Sequence, residues 1–290
     1  MRREILLAAP FAVALAGAAA AQSAAAPASE TAHIAAMARE HAHDAPVANA
    51  SAQEPRQEVR TDDVVYGTVG GQPARGYMAW PTATRRGEQL PAIILVHEWW
   101  GLNDNMKMMA RRLAGEGYRA LAIDMYGREA TTAEEARTSM QQVASNPTRG
   151  AQHMREAAAF LRGRQRAPRL GVIGWCFGGG WSLQSALFMP ENVDAAVMYY
   201  GRVVTDRFTL SSLDAPLLGL FGEQDRGIAV SQVREMEAVL RELGKSVEIQ
   251  VYPGAAHAFA NPSGSAYNAA AAEDAWTRTT GFFARHLRGS

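Results

Sequence analysis

Two patterns of apolar residues alternate along this chain from residue 58 onward. One is a short, continuous apolar segment such as A-I-I-L-V-H, which is typical of a strand buried on both faces of a sheet. In the other, apolar residues recur every three or four positions, as in an amphipathic helix. Strands are predicted at 92–97, 119–124, 170–175, 195–200, 216–221 and 247–252, and helices near 105–116, 132–145, 149–166, 179–188, 230–243 and 266–287.

This alternation of strands and helices predicts an α/β fold with a mostly parallel central sheet and helices on both faces. Before the first of these strands, segments 59–69 and 74–80 flank the turn residues G-G-Q-P, which predicts an antiparallel hairpin. In sheets of this kind, functional side chains collect beyond the carboxyl ends of the parallel strands. Candidate catalytic residues are therefore expected at that edge.

Residues 170–180, L-G-V-I-G-W-C-F-G-G-G, place Cys176 between a β-rich segment and the small residues of a helix start. This is the pattern of a nucleophile elbow, a sharp strand-to-helix turn that presents a reactive side chain. The N–H of Phe177 would open the helix, where the helix dipole favours negative charge, and would form half of an oxyanion hole. The alternative is a buried, unreactive cysteine beside a glycine-rich packing contact. The G-x-C-x-G-G spacing favours the nucleophile.

Two further strand ends carry an acid and a base. Asp225 follows L-L-G-L-F-G in the sequence G-E-Q-D, and His257 follows the last strand in A-A-H. The order Cys176, Asp225, His257 is the nucleophile, acid, histidine order of α/β-hydrolases. The imidazole can take the thiol proton, and the carboxylate can hold the correct tautomer. Taken singly, His257 is explained as a surface loop residue and Asp225 as a helix cap before Ile228; together the three predict a catalytic triad.

The first 57 residues differ in character from the rest. A positive M-R-R start, an apolar run at 5–16 and small residues at 19–21 predict a signal peptide over 1–21 and export to the periplasm or medium. The alternative, a membrane anchor, is disfavoured because the run is shorter than the ~20 residues that span a bilayer. Residues 22–57 are predicted to be a low-complexity linker or weakly helical tail that joins no core, and 58–290 to be the folded domain.

The N-terminal histidines leave a second question open. His33, His41 and His43 lie close enough in sequence to form a metal cluster, but no acidic or cysteine ligand completes the set at convincing spacing. A solvated low-complexity stretch is favoured, and no metal site is predicted.

Charge and cysteine content narrow the range of partners. The chain has 29 basic and 29 acidic residues in 290, without a basic face for nucleic acid or an anionic membrane surface. Hydrophobic residues make up 48% of the chain, enough for a large core. With one cysteine, no internal disulfide can form, and an exported free thiol needs shielding or a purpose.

The domain resembles the dienelactone hydrolase (carboxymethylenebutenolidase) family of α/β-hydrolases. The motifs that carry the resemblance are V-H-E-W-W-G-L-N at 96–103, A-I-D-M-Y-G-R at 122–128, G-W-C-F-G-G-G at 174–180, Y-Y-G at 199–201, G-E-Q-D at 222–225 and G-A-A-H-A-F at 254–259. The resemblance implies an α/β-hydrolase fold, a Cys-His-Asp triad, a monomeric single domain and no cofactor. It also implies cleavage of cyclic enol esters such as dienelactone, or of other esters.

The resemblance also assigns roles around the triad. Glu98 matches the glutamate that contacts the resting thiol and takes its proton, and Trp99 matches the second oxyanion-hole N–H. Arg128, and Tyr200 in the Y-Y-G motif, are assigned to substrate binding. One departure stands at Asn261, where the family usually has an arginine that pairs with the glutamate and with the substrate carboxylate. An amide carries no charge, so neutral or weakly anionic esters are the expected substrates.

The function predicted from these observations is an exported ester or lactone hydrolase that forms a thioester acyl-enzyme and has no stable membrane insertion. Two alternatives come from other classes. A cysteine beside a histidine can serve as a peroxide sensor, although no resolving cysteine is present. A non-catalytic binding module on a hydrolase scaffold is the other, and the intact triad disfavours it.

Overall fold

A central sheet of eight strands organises the described part of the chain. The computed structural model describes residues 27–44, 54–85 and 87–288. The elements are, in order, α1 (Pro27–Glu40), β1 (Val59–Val69), β2 (Gln72–Pro81), β3 (Ala92–Val96), α2 (Asp104–Gly115), β4 (Arg119–Ile123), α3 (Ala133–Ala144), α4 (Pro147–Ala159, continued by a π-helical turn, Phe160–Arg164), β5 (Leu170–Trp175), α5 (Phe177–Phe188), β6 (Ala195–Tyr199), α6 (Arg207–Ser211), β7 (Leu217–Gly222), α7 (Val230–Glu242), β8 (Val247–Tyr252) and α8 (Ala269–Leu287).

The strand order is β1-β2-β4-β3-β5-β6-β7-β8. β2 pairs antiparallel with both β1 and β4, and the remaining neighbours pair in parallel. The predicted α/β fold with a mostly parallel sheet is confirmed, and the predicted hairpin is the β1–β2 pair. The central strands β3, β5, β6 and β7 are buried at every position, which explains their continuous apolar sequences.

Local sequence signals fix where the helices begin. Thr132 accepts the N–H of Glu135 at the start of α3, and Asn268 accepts the N–H of Ala271 at the start of α8. α5 has no such cap, because it begins directly at the turn after β5 and packs against β3, β5 and β6. In the described ranges, no helix is both long and apolar enough to cross a membrane.

α1 lies within the segment predicted to be a linker or weakly helical tail. It contacts α3, and its side chains Ile34 and Met37 are 3% and 0% exposed. The expectation that nothing in this segment joins a core is wrong for these two residues, because their spacing of three places both on the helix face that meets the domain. The predicted signal peptide lies outside the described residues, and the division into 1–21, 22–57 and 58–290 stays a prediction.

Candidate active site

Cys176 stands on the turn between β5 and α5, where the glycine-rich pattern predicted an elbow. Its backbone lies in a region that L-residues rarely adopt (φ 52°, ψ −115°). A Cβ on Gly174 would collide with Gly178, and one on Gly178 with the carbonyl of Val96, so only glycine permits this close approach. The Cys176 N–H donates to the carbonyl of Tyr199 at 3.1 Å. Neighbouring strands therefore hold the strained turn in place.

His257 and Asp225 form a hydrogen-bonded pair at the same edge of the sheet. His257 Nδ1 donates to Asp225 Oδ2 at 2.7 Å, and both side chains are fully buried. Asp225 Oδ1 accepts the N–H groups of Gly227 and Ile228 at 2.8 and 2.9 Å. The two roles that the sequence offered for Asp225, orienting carboxylate and local cap, are thus filled by its two oxygens. Glu223 instead accepts a backbone N–H just past β8.

The thiol of Cys176 lies among imidazoles and away from solvent. Cys176 and His257 are each 1% exposed. Burial alone would raise the pKa of Cys176, but the positive charge of His257 and a smaller contribution from His41 lower that pKa to about 6. Burial likewise lowers the pKa of His257, and the charges of Cys176 and Asp225 outweigh burial and raise it well above its ordinary value. A thiolate–imidazolium pair is therefore the favoured state at neutral pH.

The two N–H groups predicted to form the oxyanion hole belong to Phe177, directly after Cys176, and to Trp99, after the neighbouring strand β3. Phe177 is the first residue of α5, so its N–H has no acceptor within the helix. Trp99 follows β3, the strand beside β5. Among the described residues, neither N–H donates to a backbone carbonyl. This arrangement is compatible with the predicted oxyanion hole, which stays a prediction.

Glu98 is buried, and its side chain is held by Tyr200. The Tyr200 hydroxyl donates to Glu98 Oε1 at 2.9 Å, and its ring meets that of His257 edge-on at 5.1 Å. Burial and the charge of Cys176 raise the pKa of Glu98 to about 7, against the opposing effect of His41. The sulfur of Cys176 makes its described hydrogen bonds to the N-terminal segment and not to Glu98, which departs from the family expectation. Tyr200, which was predicted to bind substrate, thus uses its hydroxyl in the bond to Glu98, and its role in substrate binding stays a prediction.

His97 was not singled out from the sequence, yet it fixes the loop that carries Glu98. Its Nδ1 donates to the Glu98 carbonyl at 2.8 Å, and its Nε2 accepts the N–H of Met125 at 3.3 Å. Burial lowers the pKa of His97, so the ring is neutral. It stacks on Phe177 with 5.5 Å between ring centroids. Its place directly after a buried strand was the available signal.

The two remaining predicted residues are not brought into contact with the thiol. The side chain of Arg128 is 51% exposed and pairs with Glu135 at 4.0 Å. Asn261 is 3% exposed, and its Oδ1 accepts from Asn105 Nδ2 at 3.3 Å and from the N–H of Ser263 at 3.0 Å. Asn261 therefore joins α2 to the loop after His257, and substrate binding by either residue stays a prediction.

The segment after α1 places a histidine against the nucleophile. His41 Nε2 lies 3.8 Å from Cys176 Sγ, and Met37 Sδ lies 3.5 Å from the same sulfur. His41 Nδ1 bonds Asp44 Oδ2 at 2.9 Å, and Asp44 Oδ1 accepts the N–H and hydroxyl of Ser265 at 2.7 and 2.8 Å. His41 is 0% exposed. The expectation of a solvated histidine stretch is wrong at this position, because Asp44 anchors the segment to the domain.

Aromatic contacts and electrostatics reinforce this placement of His41. Its ring stacks on Trp99 at 5.4 Å with an angle of 11° and meets His257 edge-on at 5.6 Å. Burial lowers the pKa of His41, but Asp44 and Cys176 raise it to about 9. The raised pKa makes His41 a second cation beside the thiolate.

The other two histidines of the segment behave differently. His43 is exposed, as expected of a solvated residue, and His33 is half-buried. Burial, and then the charge of Arg202, lower the pKa of His33 to about 4.

Met37 occupies space that a glycine leaves free. A Cβ on Gly227, two residues after Asp225, would collide with Met37 Cε. The sequence did contain a signal for this contact, since Ile34, Met37 and His41 recur at i, i+3 and i+7. The apolar stripe is narrow because alanine and charged residues fill the rest of the helix.

Comparisons with known proteins agree on the kind of protein that carries such a site. The model of the "Dienelactone hydrolase family" matches residues 74–287. A provisionally named carboxymethylenebutenolidase of Methylorubrum extorquens is 35% identical over 72% of this chain and 76% of its own. Another from Saccharolobus solfataricus is 30% identical over 77% of this chain and 98% of its own. A crystal structure of a provisionally named dienelactone hydrolase from Klebsiella pneumoniae superposes with a TM-score of 0.71 at 28% identity, over 79% of this chain and all of that one. α1 lies before the first residue of the family match.

Proposed function

The chain belongs to the dienelactone hydrolase family and is a hydrolase of ester or lactone bonds, and on that premise we propose that it works through a thioester formed on Cys176. The thiolate attacks the carbonyl carbon, and the alcohol oxygen leaves with a proton from His257. Water then attacks the thioester with His257 as base, which releases the acid and restores the thiolate beside a protonated His257. The observation that supports this best is the buried 2.7 Å pair of His257 and Asp225 at the edge that carries the elbow.

Charge development on the carbonyl oxygen calls for donors that are already in place. The N–H groups of Phe177 and Trp99 are the proposed donors, and the positive end of α5 adds to their effect. Glu98, whose pKa is raised to about 7 by burial and by the charge of Cys176, is the proposed acceptor of the proton in those molecules whose Cys176 is still a neutral thiol. The two N–H groups act on the oxyanion and Glu98 acts on the proton, so changes at these positions should affect different steps.

Substrate cannot reach the sulfur while α1 is docked, because Met37 and His41 lie directly against it. We expect α1 to move away before the acylation step, as lids do in other enzymes. The movement breaks the hydrogen bonds of Asp44 to Ser265 and the stacking of His41 on Trp99, and it exposes Ile34, Met37 and His41.

Neutral or weakly anionic esters remain the proposed substrate class. Asn261 supplies no charge and uses its oxygen within the protein, and Arg128 is largely exposed and paired. A substrate carboxylate would therefore lack the bidentate arginine contact that makes such recognition strong. Export through residues 1–21 and action as a monomer complete the proposal.

A burst experiment tests the thioester. The wild-type protein is mixed with a short-chain p-nitrophenyl ester, and the first turnover is followed by absorbance and by intact-protein mass. We expect a burst of p-nitrophenolate and one acyl adduct on Cys176, both absent from Cys176→Ala, whose melting temperature should change little. Turnover that persists in Cys176→Ala would assign the chemistry to another residue.

A further inference from the structure

Three side chains that can bind metal converge where α1 meets the catalytic pair. One ligand atom from each of His41, Cys176 and His257 lies within 4.8 Å of the other two. The three residues are at most 1% exposed. His257 Nε2 is buried and interacts electrostatically with Cys176, but it makes no hydrogen bond of ordinary geometry among the described residues, although a buried polar atom normally has one. The catalytic geometry accounts for two members of this cluster, but not for the histidine of the N-terminal segment.

Both histidines are backed by carboxylates on the ring nitrogen that faces away from the sulfur. His257 Nδ1 bonds Asp225 at 2.7 Å, and His41 Nδ1 bonds Asp44 at 2.9 Å. A histidine that binds a metal through one nitrogen nearly always donates the other N–H to such a group, which orients the ring and increases its basicity. The two Nε2 atoms are therefore the ones left to face Cys176.

The spacing of one ligand pair suits a small tetrahedral centre, and the third ligand atom lies within 4.8 Å of both and would have to approach them. Zinc binds a thiolate and an imidazole at lengths that place the two ligand atoms about 3.6 Å apart. His41 Nε2 and Cys176 Sγ are 3.8 Å apart. A shift of a few tenths of an ångström would bring a common ion within bonding distance of both. Around this position lie four acidic groups, those of Cys176, Asp225, Asp44 and Glu98, which favour a cation.

We propose that Cys176, His257 and His41 form a binding site for a thiophilic transition-metal ion, Zn²⁺ or Cu⁺, that ties the N-terminal segment to the catalytic centre. The thiolate and the two Nε2 atoms bond the ion, and the two Nε2 protons that it displaces leave to solvent. The ion then occupies both the nucleophile and the base, so the loaded protein does not hydrolyse esters. Removing the ion restores the enzyme.

Met37 distinguishes the two ions. Its thioether sulfur is 3.5 Å from Cys176 Sγ, close enough to supply a further ligand. Thioethers are soft ligands that favour Cu⁺, whereas zinc takes a water molecule there as readily. Met37→Leu should therefore weaken Cu⁺ binding and leave Zn²⁺ binding unchanged if copper is the ion for which the site is built.

Direct binding to the full chain is the test, and it does not depend on ester hydrolysis. Zn²⁺ and Cu⁺ affinities are measured by competition with chromophoric chelators, and Co²⁺ serves as a spectroscopic probe of thiolate ligation. We expect one equivalent of each ion and a thiolate-to-Co²⁺ charge-transfer band that Cys176→Ser lacks. His41→Ala should weaken Zn²⁺ binding by on the order of a hundredfold, and Asp44→Asn by roughly 10- to 100-fold.

His43→Ala is the matched control, because His43 lies two residues from His41 and is exposed. It should leave the Zn²⁺ affinity and the Co²⁺ spectrum as in wild type. Circular dichroism and melting curves of the variants establish that each is folded. Equal affinities for His41→Ala and His43→Ala, or a Co²⁺ spectrum that persists in Cys176→Ser, would overturn the proposed site. If metal binds as expected but no ester is cleaved by the metal-free protein, the proposed hydrolysis fails and the metal site stands.

Discussion

Removing the Met37 side chain should make the enzyme faster, because α1 must undock before substrate reaches Cys176. Met37 is fully buried, and a methionine-to-alanine change at such a site costs about 2 kcal/mol even where the surroundings relax. The loss falls on the docked state alone, since an undocked helix exposes this residue in either case. Every 1.4 kcal/mol changes an equilibrium tenfold, so the undocked fraction rises about 30-fold. As long as the docked form predominates, kcat/KM rises by the same factor.

The assay measures kcat/KM for a short-chain p-nitrophenyl ester in the presence of a metal chelator. The rate of Cys176 alkylation by iodoacetamide provides a second readout, because it reports access to the sulfur without catalysis. Arg39→Ala is the control, since Arg39 lies on α1 but is exposed. A chain lacking residues 1–53 should fold and match or exceed Met37→Ala in both rates. If Met37→Ala hydrolyses ester and reacts with iodoacetamide no faster than Arg39→Ala, α1 does not control access.

Three further predictions concern the domain itself. Asp225→Asn should slow turnover by on the order of a thousandfold, because an amide favours the wrong tautomer of His257, whereas Glu223→Gln should change kcat by less than about threefold. Burial raises the pKa of Cys176, but His257 lowers it to about 6. Because the thiolate is the proposed nucleophile, ester hydrolysis should fall as the pH drops through about 6. A pH–rate profile that is flat from about pH 5 to 8 would contradict this. Asn261→Ala should lower the free energy of unfolding by about 1 kcal/mol in urea titrations, because the partly buried N–H of Ser263 loses its acceptor while the buried amide of Asn105 keeps its bond to the Ser263 hydroxyl; an unchanged midpoint would mean that these bonds contribute nothing.

The sheet and the triad could be predicted because each rests on a short-range rule. Continuous apolar segments marked the buried strands to within a residue at most ends, and strand ends located Cys176, Asp225 and His257. The predicted acid, Asp225, is the carboxylate that pairs with His257. The pairing follows from the turn, in which the residue three positions past β7 reaches His257.

The placement of α1 could not be predicted by the same rules. Its position depends on contacts that join residue 41 to 176 and residue 44 to 265, which no local pattern specifies. An alanine-rich sequence favours a helix whatever surface it packs against. The spacing of Ile34, Met37 and His41 predicts a helix face, but it does not specify which part of the domain that face contacts. For Asn261, the sequence suggested only that an arginine contact with the substrate carboxylate is missing. The structure shows instead that its side-chain oxygen accepts hydrogen bonds from Asn105 and Ser263.

Gly227 contacts both the turn that holds Asp225 and the N-terminal helix α1, which are far apart in the sequence. Its N–H is held by Asp225, and the absence of a Cβ leaves the space that Met37 Cε occupies. A single methyl group at position 227 would therefore compete with the helix for that space. A related chain with another residue at this position can seat the same methionine only if its terminal methyl group moves aside, even if its N-terminal segment is identical. One position in the hydrolase domain thus sets how closely the N-terminal helix can pack beside Asp225 and Cys176.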